Sequence, residues 1–340
     1  MLEMDVDIEM GHRFGYILTE NISCVYPFSM PLPITVSSSQ SYIFYYYYLS
    51  GNFDKEKLDM YRRGTQRASG RSFGGGRIIV ALIIAAFSIL SYCSSRSYNP
   101  VTDEDQYVAI SPEQEIALGL QAAPEMAQQF GGLDPDERAQ TLVDDVCSRI
   151  IGNSEAGDTE WPFECHLLAD SETINAFALP GGQMFITAAL FDQLETEGHL
   201  AGVMAHEMGH VVARHSSQQI AKQQLTQGLT GAAVIAAYDP DDPNSRQTAQ
   251  VALLIGQLVN MRFGREDELQ SDELGVQFMA EAGYDPRSMV RVMEILDAAS
   301  QGGRPPEFFS THPNPENRIA RIQEAINEVF PDGVPEGLDQ

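Results

Sequence analysis

The segment His206-Glu207-Met208-Gly209-His210 constrains this chain more than any other stretch. It lies in a run that reads as helix, between apolar Ala201 to Ala205 and apolar Val211 to Ala213. A helical step of four returns nearly to the same face, so His206 and His210 point the same way and suit one zinc ion. Glu207 sits about 100° round the helix, in reach of a water on that metal and not a ligand itself. Two imidazoles that hold zinc and a carboxylate that takes a proton from zinc-bound water suit a metallopeptidase. Two surface histidines on an amphipathic helix are the bland alternative. The apolar flanks argue against it, because neighbouring buried imidazoles need polar partners or a metal. Gly209 inside the helix costs about 1 kcal/mol relative to Ala, which is easier to explain if another backbone packs closely there.

A tetrahedral catalytic site needs a third protein ligand and an open position. The metzincin spacing would place Gly at 213 and His at 216. Those positions hold Ala213 and Ser216, and His215 falls one residue short, so it reads as a surface residue or a support for a ligand. The other source is a glutamate on a later helix. Within Glu268-Leu269-Gln270-Ser271-Asp272, Glu268 and Asp272 share a helical face. Glu268 suits a ligand, and Asp272 an acceptor for the free N–H of a ligand histidine. A solvated acidic face is the competing reading, since Glu266, Asp267 and Glu273 crowd the same stretch.

Four blocks together resemble one family, the zinc endopeptidases of the HtpX, BepA and type I CAAX prenyl protease kind. They are Asn175-Ala176-Phe177-Ala178-Leu179-Pro180-Gly181-Gly182 running into Gln183-Met184-Phe185-Ile186-Thr187, the HExxH helix, Glu268-x-x-x-Asp272 with Leu274-Gly275, and Ser310-Thr311-His312-Pro313 leading to Arg318-Ile319. The match covers roughly residues 111 to 330. The resemblance implies an α+β, predominantly helical, zincin-like (gluzincin) domain with a small antiparallel sheet. It implies one zinc ion per chain held by His206, His210 and Glu268, with Glu207 as catalytic base and Asp272 behind the ligands. Ser271 stands where the family usually has Ala.

The first block also reads physically as two short strands joined by a Pro-Gly-Gly turn. Either it is a structural hairpin or Gln183, Met184, Phe185 and Ile186 form an edge strand that pairs with an extended substrate. His312 is by default an exposed loop histidine in the Pro-rich stretch from Arg304 to Pro315. Its family position brings it near the metal, where it would stabilise the oxyanion or occupy the open coordination site. Arg318 is a weaker candidate for the electrostatic role.

The net charge of −27 argues against nucleic acid as a partner and suits an exported domain. Cys24, Cys93, Cys147 and Cys165 lack CxxC spacing, and Cys147 with Cys165 is a pair open to an extracytoplasmic domain. Arg62, Arg63, Arg67, Arg71 and Arg77 precede an almost wholly apolar run from Ile78 to Tyr92, the pattern of a signal peptide or signal anchor. A helix over that run is about 23 Å long, short of a hydrocarbon core of ~30 Å, which favours a signal peptide. Leu90-Ser91-Tyr92-Cys93 resembles a lipobox with Tyr92 out of pattern, making Cys93 a lipidation candidate.

The expected organisation is an N-terminal extension over 1–59, absent from or retained in the mature protein. A signal segment over 60–93, a polar linker over 94–110, the peptidase domain over 111–330 and a tail over 331–340 follow. Expected helices run from about Ser111, Pro135 to Ile151, Thr187 to Leu194, Gly198 to Leu225, Gln247 to Met261, Glu266 to Ala282, Pro286 to Ser300 and Pro315 to Val329, with a strand near Phe163 to Ala169. The apolar runs Gly228 to Ala237 and Val251 to Val259 are too short to span a bilayer and are expected to cover the site or pack in the core. No helical-repeat array is expected after the peptidase domain. The functional expectation is a zinc endopeptidase, tethered at the extracytoplasmic face of a membrane, acting on unfolded or misassembled envelope proteins. Its rival is a non-catalytic, zinc-stabilised chaperone or assembly factor on the same fold.

Overall fold

The computed structural model describes residues 74–237, 264–300, 306–312 and 317–340. The expected 1–59 extension, the first four signal-segment arginines, the Gln247 to Met261 helix with its Val251 to Val259 run, and parts of the Pro-rich loop lie outside the described residues. The described residues open with helix α1 (Gly74–Ser94). At 21 residues it is longer than the apolar run alone, because Gly74 to Arg77 and Cys93 to Ser94 join the helix. Its Gly76–Ser94 portion is long and apolar enough to cross a membrane.

The expected linker is instead a hairpin of β1 (Arg96–Asn99) and β2 (Glu104–Tyr107). Buried Asn99 and Gln106 give the hairpin its anchorage further along the chain. Helix α2 (Pro112–Gln129) starts at a capping box, with Ser111 Oγ accepting from Gln114 N and Gln114 Oε1 from Ser111 N. Helix α3 (Glu137–Asn153) is capped by Asp136.

A three-stranded sheet follows, built from β3 (Glu164–Leu168), β4 (Ala176–Ala178) and β5 (Gln183–Thr187) in the order β3-β5-β4. The expected hairpin is the antiparallel β4–β5 pair, and β3 adds in parallel, so the sheet is mixed. Strand β5 is central and every residue in it is buried. It therefore cannot be the substrate edge anticipated at Gln183 to Ile186, because both its ladders are filled. Among the described strands, β3 and β4 are the outer ones, and β4 is the one beside Glu207. A disulfide joins Cys147 on α3 to Cys165 on β3.

Beyond the single turn α4 (Ala188–Phe191), helix α5 (Glu197–Val212) runs through the centre of the core, buried at every position from Gly198 onward. The single long helix expected to Leu225 breaks after it. Arg214 adopts φ 56°, and α6 (His215–Ala237) leaves in a new direction. The arginine holds that left-handed conformation by hydrogen bonds from its guanidinium to buried Glu115 Oε1 (2.8 Å) and Ile110 O (2.9 Å). The last carbonyls of α5 are met by the hairpin: Asn99 Nδ2 donates to Val212 O (2.7 Å) and Gln106 Nε2 to Ala213 O (2.9 Å). Helices α7 (Arg265–Glu281) and α8 (Arg287–Ser300), the turn α9 (Phe308–Thr311) and α10 (Arg318–Val329) complete the domain. The run from Gly228 to Ala237 belongs to α6, which packs on α1 rather than over the site.

Candidate metal centre

Helix α5 supplies His206, Glu207 and His210; α7 supplies Glu268 and Asp272; His312 ends α9, and Arg318 begins α10. All seven side chains are buried. Two glycines let α5 and α7 touch. A Cβ on Gly209 would stand 2.9 Å from Ser271 O, and one on Gly275 would stand 3.3 Å from His206 N. The expectation of a close backbone at Gly209 is met by α7 itself.

His206 Nε2 lies 3.1 Å from His210 Nε2 and 3.6 Å from Glu268 Oε2, while His210 Nε2 lies 3.5 Å from Glu268 Oε1. With metal–ligand bonds of about 2.0–2.1 Å, the edges of a zinc tetrahedron are roughly 3.4 Å long. The three side chains thus bring donor atoms to about tetrahedral spacing, with one Glu268 oxygen facing each histidine. His312 Nδ1 stands at the same spacing, 3.5 Å from His206 Nε2 and 3.2 Å from Glu268 Oε1. All four donors lie within 4.8 Å of one another. His206 Nδ1 donates to Asp272 Oδ1 at 2.9 Å, which leaves Nε2 as the ring atom facing the other donors. Such a gathering of acceptors is stable around a cation and poorly stable without one.

Glu207 Oε1 and Oε2 are buried without a hydrogen-bond partner, as is Glu268 Oε2. Burial pushes both Glu207 and Glu268 up to about 7. Burial lowers His210 well below the usual histidine range and His312 to about 3, which keeps both rings neutral and able to bind a metal. Desolvation would raise Asp272, but the charge of Arg318 and the His206 hydrogen bond outweigh it and hold the carboxyl at about 2.

Arg318 grips Asp272 from behind, with Nε 2.7 Å from Oδ2 and a terminal nitrogen 2.9 Å from Oδ1, and stands 3.3 Å from Glu268 Oε2. It clamps the carboxylates, and its Nη2 also stands 3.3 Å from both ring nitrogens of His206. His312 is buried rather than loop-exposed, with its Nε2 3.6 Å from Glu207 Oε1.

Sequence leaves His215 open between a surface residue and a support for a ligand, and gives Gln270 no role. His215 is fully buried, with Nδ1 2.9 Å from His210 Nδ1 and Nε2 2.9 Å from Gln270 Oε1. Ser271 Oγ adds a contact of 3.3 Å, and Gln270 Nε2 donates onward to Glu104 on the hairpin. The five-residue step from His210 to His215 carried no helical signal, because the helix breaks between them. Cys93 is free and exposed at the end of α1.

Residues 137–326 match the family model described as peptidase family M48. The chain is 31% identical over 267 residues to the Beta-barrel assembly-enhancing protease of Escherichia coli (strain K12), covering 74% of this chain and 53% of that protein. It thus spans about half the length of that relative. It is 33% identical over 241 residues to the Mitochondrial metalloendopeptidase OMA1 of Schizosaccharomyces pombe, covering 70% of this chain and 68% of that one. Against the protein of the same name in Saccharomyces cerevisiae the identity is 24% over 274 residues.

Proposed function

From the premise that this chain belongs to peptidase family M48, we propose that it is a zinc-dependent endopeptidase, with His206, His210 and Glu268 as ligands and Glu207 as general base. The observation that carries the reading is the near-tetrahedral spacing of those three ligand side chains beside the buried Glu207 carboxylate, whose Oε1 lies 3.6 Å from His312 Nε2. Zinc bound there would polarise a scissile carbonyl and lower the pKa of its water. Glu207 accepts the water proton and returns it to the leaving amine. Asp272 keeps the His206 proton on Nδ1, and Arg318 keeps Asp272 ionised, so the ligand face stays free for metal.

His312 is the gate in this reading. Its Nδ1 sits where a fourth ligand would, so the arrangement corresponds to a closed, latent site. Displacement of the short α9 turn would free that position for water and substrate.

An extended substrate is proposed to add to the outer edge of β4. Thr187 N donates to Asn175 O and Leu179 N to Gln183 O, so the alternation of an antiparallel ladder turns the backbone of Ala176 and Ala178 away from β5. The backbone of Ala178 lies against Glu207. Edge pairing reads main chain more than side chain, which suits unfolded or misassembled polypeptides. The name of the Escherichia coli relative concerns β-barrel assembly, which makes envelope proteins the proposed substrates here. The disulfide favours an oxidising compartment, and α1 is proposed as a retained membrane anchor.

The test is Glu207→Gln assayed on unfolded casein. The expected result is loss of turnover with zinc still bound; turnover that survives the substitution removes Glu207 from the mechanism.

A further inference from the structure

Helix α5 ends at Val212, just past His210, and Arg214 then turns the chain away. The carbonyls of a last helical turn have no partner further along their own helix, and a turn left so frays. Fraying here would act on His210 far more than on His206. The latter sits a turn earlier, with Asp272 and Arg318 against its ring. His210 Nε2 keeps its 3.1 Å spacing from His206 Nε2 only while that last turn stays wound.

The β1–β2 hairpin reaches this turn by two routes. On the first, Asn99 Nδ2 donates to Val212 O (2.7 Å) and Gln106 Nε2 to Ala213 O (2.9 Å), which also receives Gln218 Nε2. Asn99 Nδ2 lies 3.2 Å from Gln106 Oε1, so the two amides hold one another in place. Asn99 Oδ1 meanwhile accepts from Val101 N and Thr102 N, and one side chain thus serves both the hairpin turn and α5. On the second route, Glu104 Oε2 accepts from Gln270 Nε2 at 2.9 Å. Gln270 Oε1 accepts from His215 Nε2, whose Nδ1 faces His210 Nδ1, both at 2.9 Å. The first route fixes the backbone that carries His210, and the second fixes the plane of its ring. A hairpin that only joined α1 to α2 would have no use for two buried amides, because burying them costs free energy unless their hydrogen bonds are made.

We propose that Asn99, Gln106 and Glu104 are positioning residues for His210, which makes the hairpin a working part of the metal centre. The proposal rests on the reading of His206, His210 and Glu268 as metal ligands. None of the three hairpin residues touches the metal or the substrate. They act through the last turn of α5 and through His215, and they set where His210 Nε2 stands relative to the other donors.

The test loads the full-length chain with cobalt(II) and reads its visible absorption, whose band positions and intensities report coordination geometry. Zinc affinity from chelator competition and urea midpoints of the metal-free protein are measured beside it. The variants are Asn99→Ala, Gln106→Ala, Glu104→Ala and Glu104→Gln, the last of which keeps an acceptor oxygen for Gln270. Glu104 is exposed, so its two variants fold even if the buried substitutions do not. Asn99→Ala and Gln106→Ala should each weaken zinc binding about tenfold, at the low end for loss of a ligand's support, and shift the cobalt bands. Glu104→Ala should produce a smaller change in the same direction, and Glu104→Gln should restore the wild-type spectrum. Lower urea midpoints with bands and affinity unchanged would make the hairpin a stabilising cap alone and overturn the proposal. Glu104→Ala and Glu104→Gln alike at the wild-type spectrum and affinity would remove Glu104 from it. A wild-type chain that binds no cobalt overturns the metal reading, and this proposal with it.

Discussion

His215 Nδ1 lies 2.9 Å from His210 Nδ1, deep in the core and one helix beyond the metal-binding motif. One of the two nitrogens must donate and the other accept. Gln270 Oε1 accepts a hydrogen bond from His215 Nε2–H, which leaves His215 Nδ1 as acceptor and His210 Nδ1 as donor. Each motif histidine thus spends its Nδ1 proton on a support, Asp272 for His206 and His215 for His210, and keeps Nε2 for the metal.

His215→Leu removes that acceptor while preserving bulk. Zinc affinity should fall by roughly 10–100-fold, the usual loss when a ligand's supporting partner is deleted. Competition against a fluorescent chelator measures it, and unchanged affinity would leave His215 as packing alone.

His312→Ala vacates the fourth tetrahedral position. Turnover on unfolded casein should rise several-fold, while zinc binding weakens by about tenfold, the equivalent of ~1.4 kcal/mol. Unchanged turnover and unchanged affinity together would remove His312 from both gating and coordination.

Gly209→Val forces α5 and α7 apart, because its first side-chain carbon meets backbone atoms of Ser271 at 2.9–3.0 Å. The expected loss of stability is about 1–3 kcal/mol, the range for overpacking a tight contact. Zinc affinity should fall in parallel, since Glu268 moves with α7. Urea unfolding of the metal-free protein separates the two effects.

Reduction of Cys147–Cys165, or replacement of both by Ala, frees a loop with a sequence separation of 18. The chain-entropy model gives a loss of about 3 kcal/mol. Denaturant midpoints with and without reductant test it, and protection of both thiols from alkylation in the native protein tests the bond itself.

Much of the candidate site was legible because its signals are local. The four-residue steps His206 to His210 and Glu268 to Asp272 place side chains on one helical face whatever the rest of the chain does. Ser111 and Pro112 at α2 and the Pro-Gly-Gly turn between β4 and β5 belong to the same class. Gly209 was legible as a cost, and α7 supplies what offsets it.

Other features had no local signal. Arg214 breaks a continuous helical pattern with no glycine, and Glu115, Ile110 and Trp161 from distant segments hold it there. The stretch from Ser94 to Ile110 reads as a polar linker because Asn99 and Gln106 are polar, yet both are buried as caps on α5. Strand β5 reads as an edge because sequence neighbours pair first; β3, arriving in parallel, takes its other side.

The sequence by itself determined the local parts: which helices form, which of their faces carry histidine and carboxylate, and the chemistry those groups can do. Tertiary structure decided their company. His312 reaches His206 across 106 residues, and Arg318 reaches Asp272 across 46. Periodicity reports the geometry of one element, whereas these meetings depend on how whole elements close and pack. Only that packing put an acceptor behind each motif histidine, a fourth donor at the open position, and α6 alongside α1.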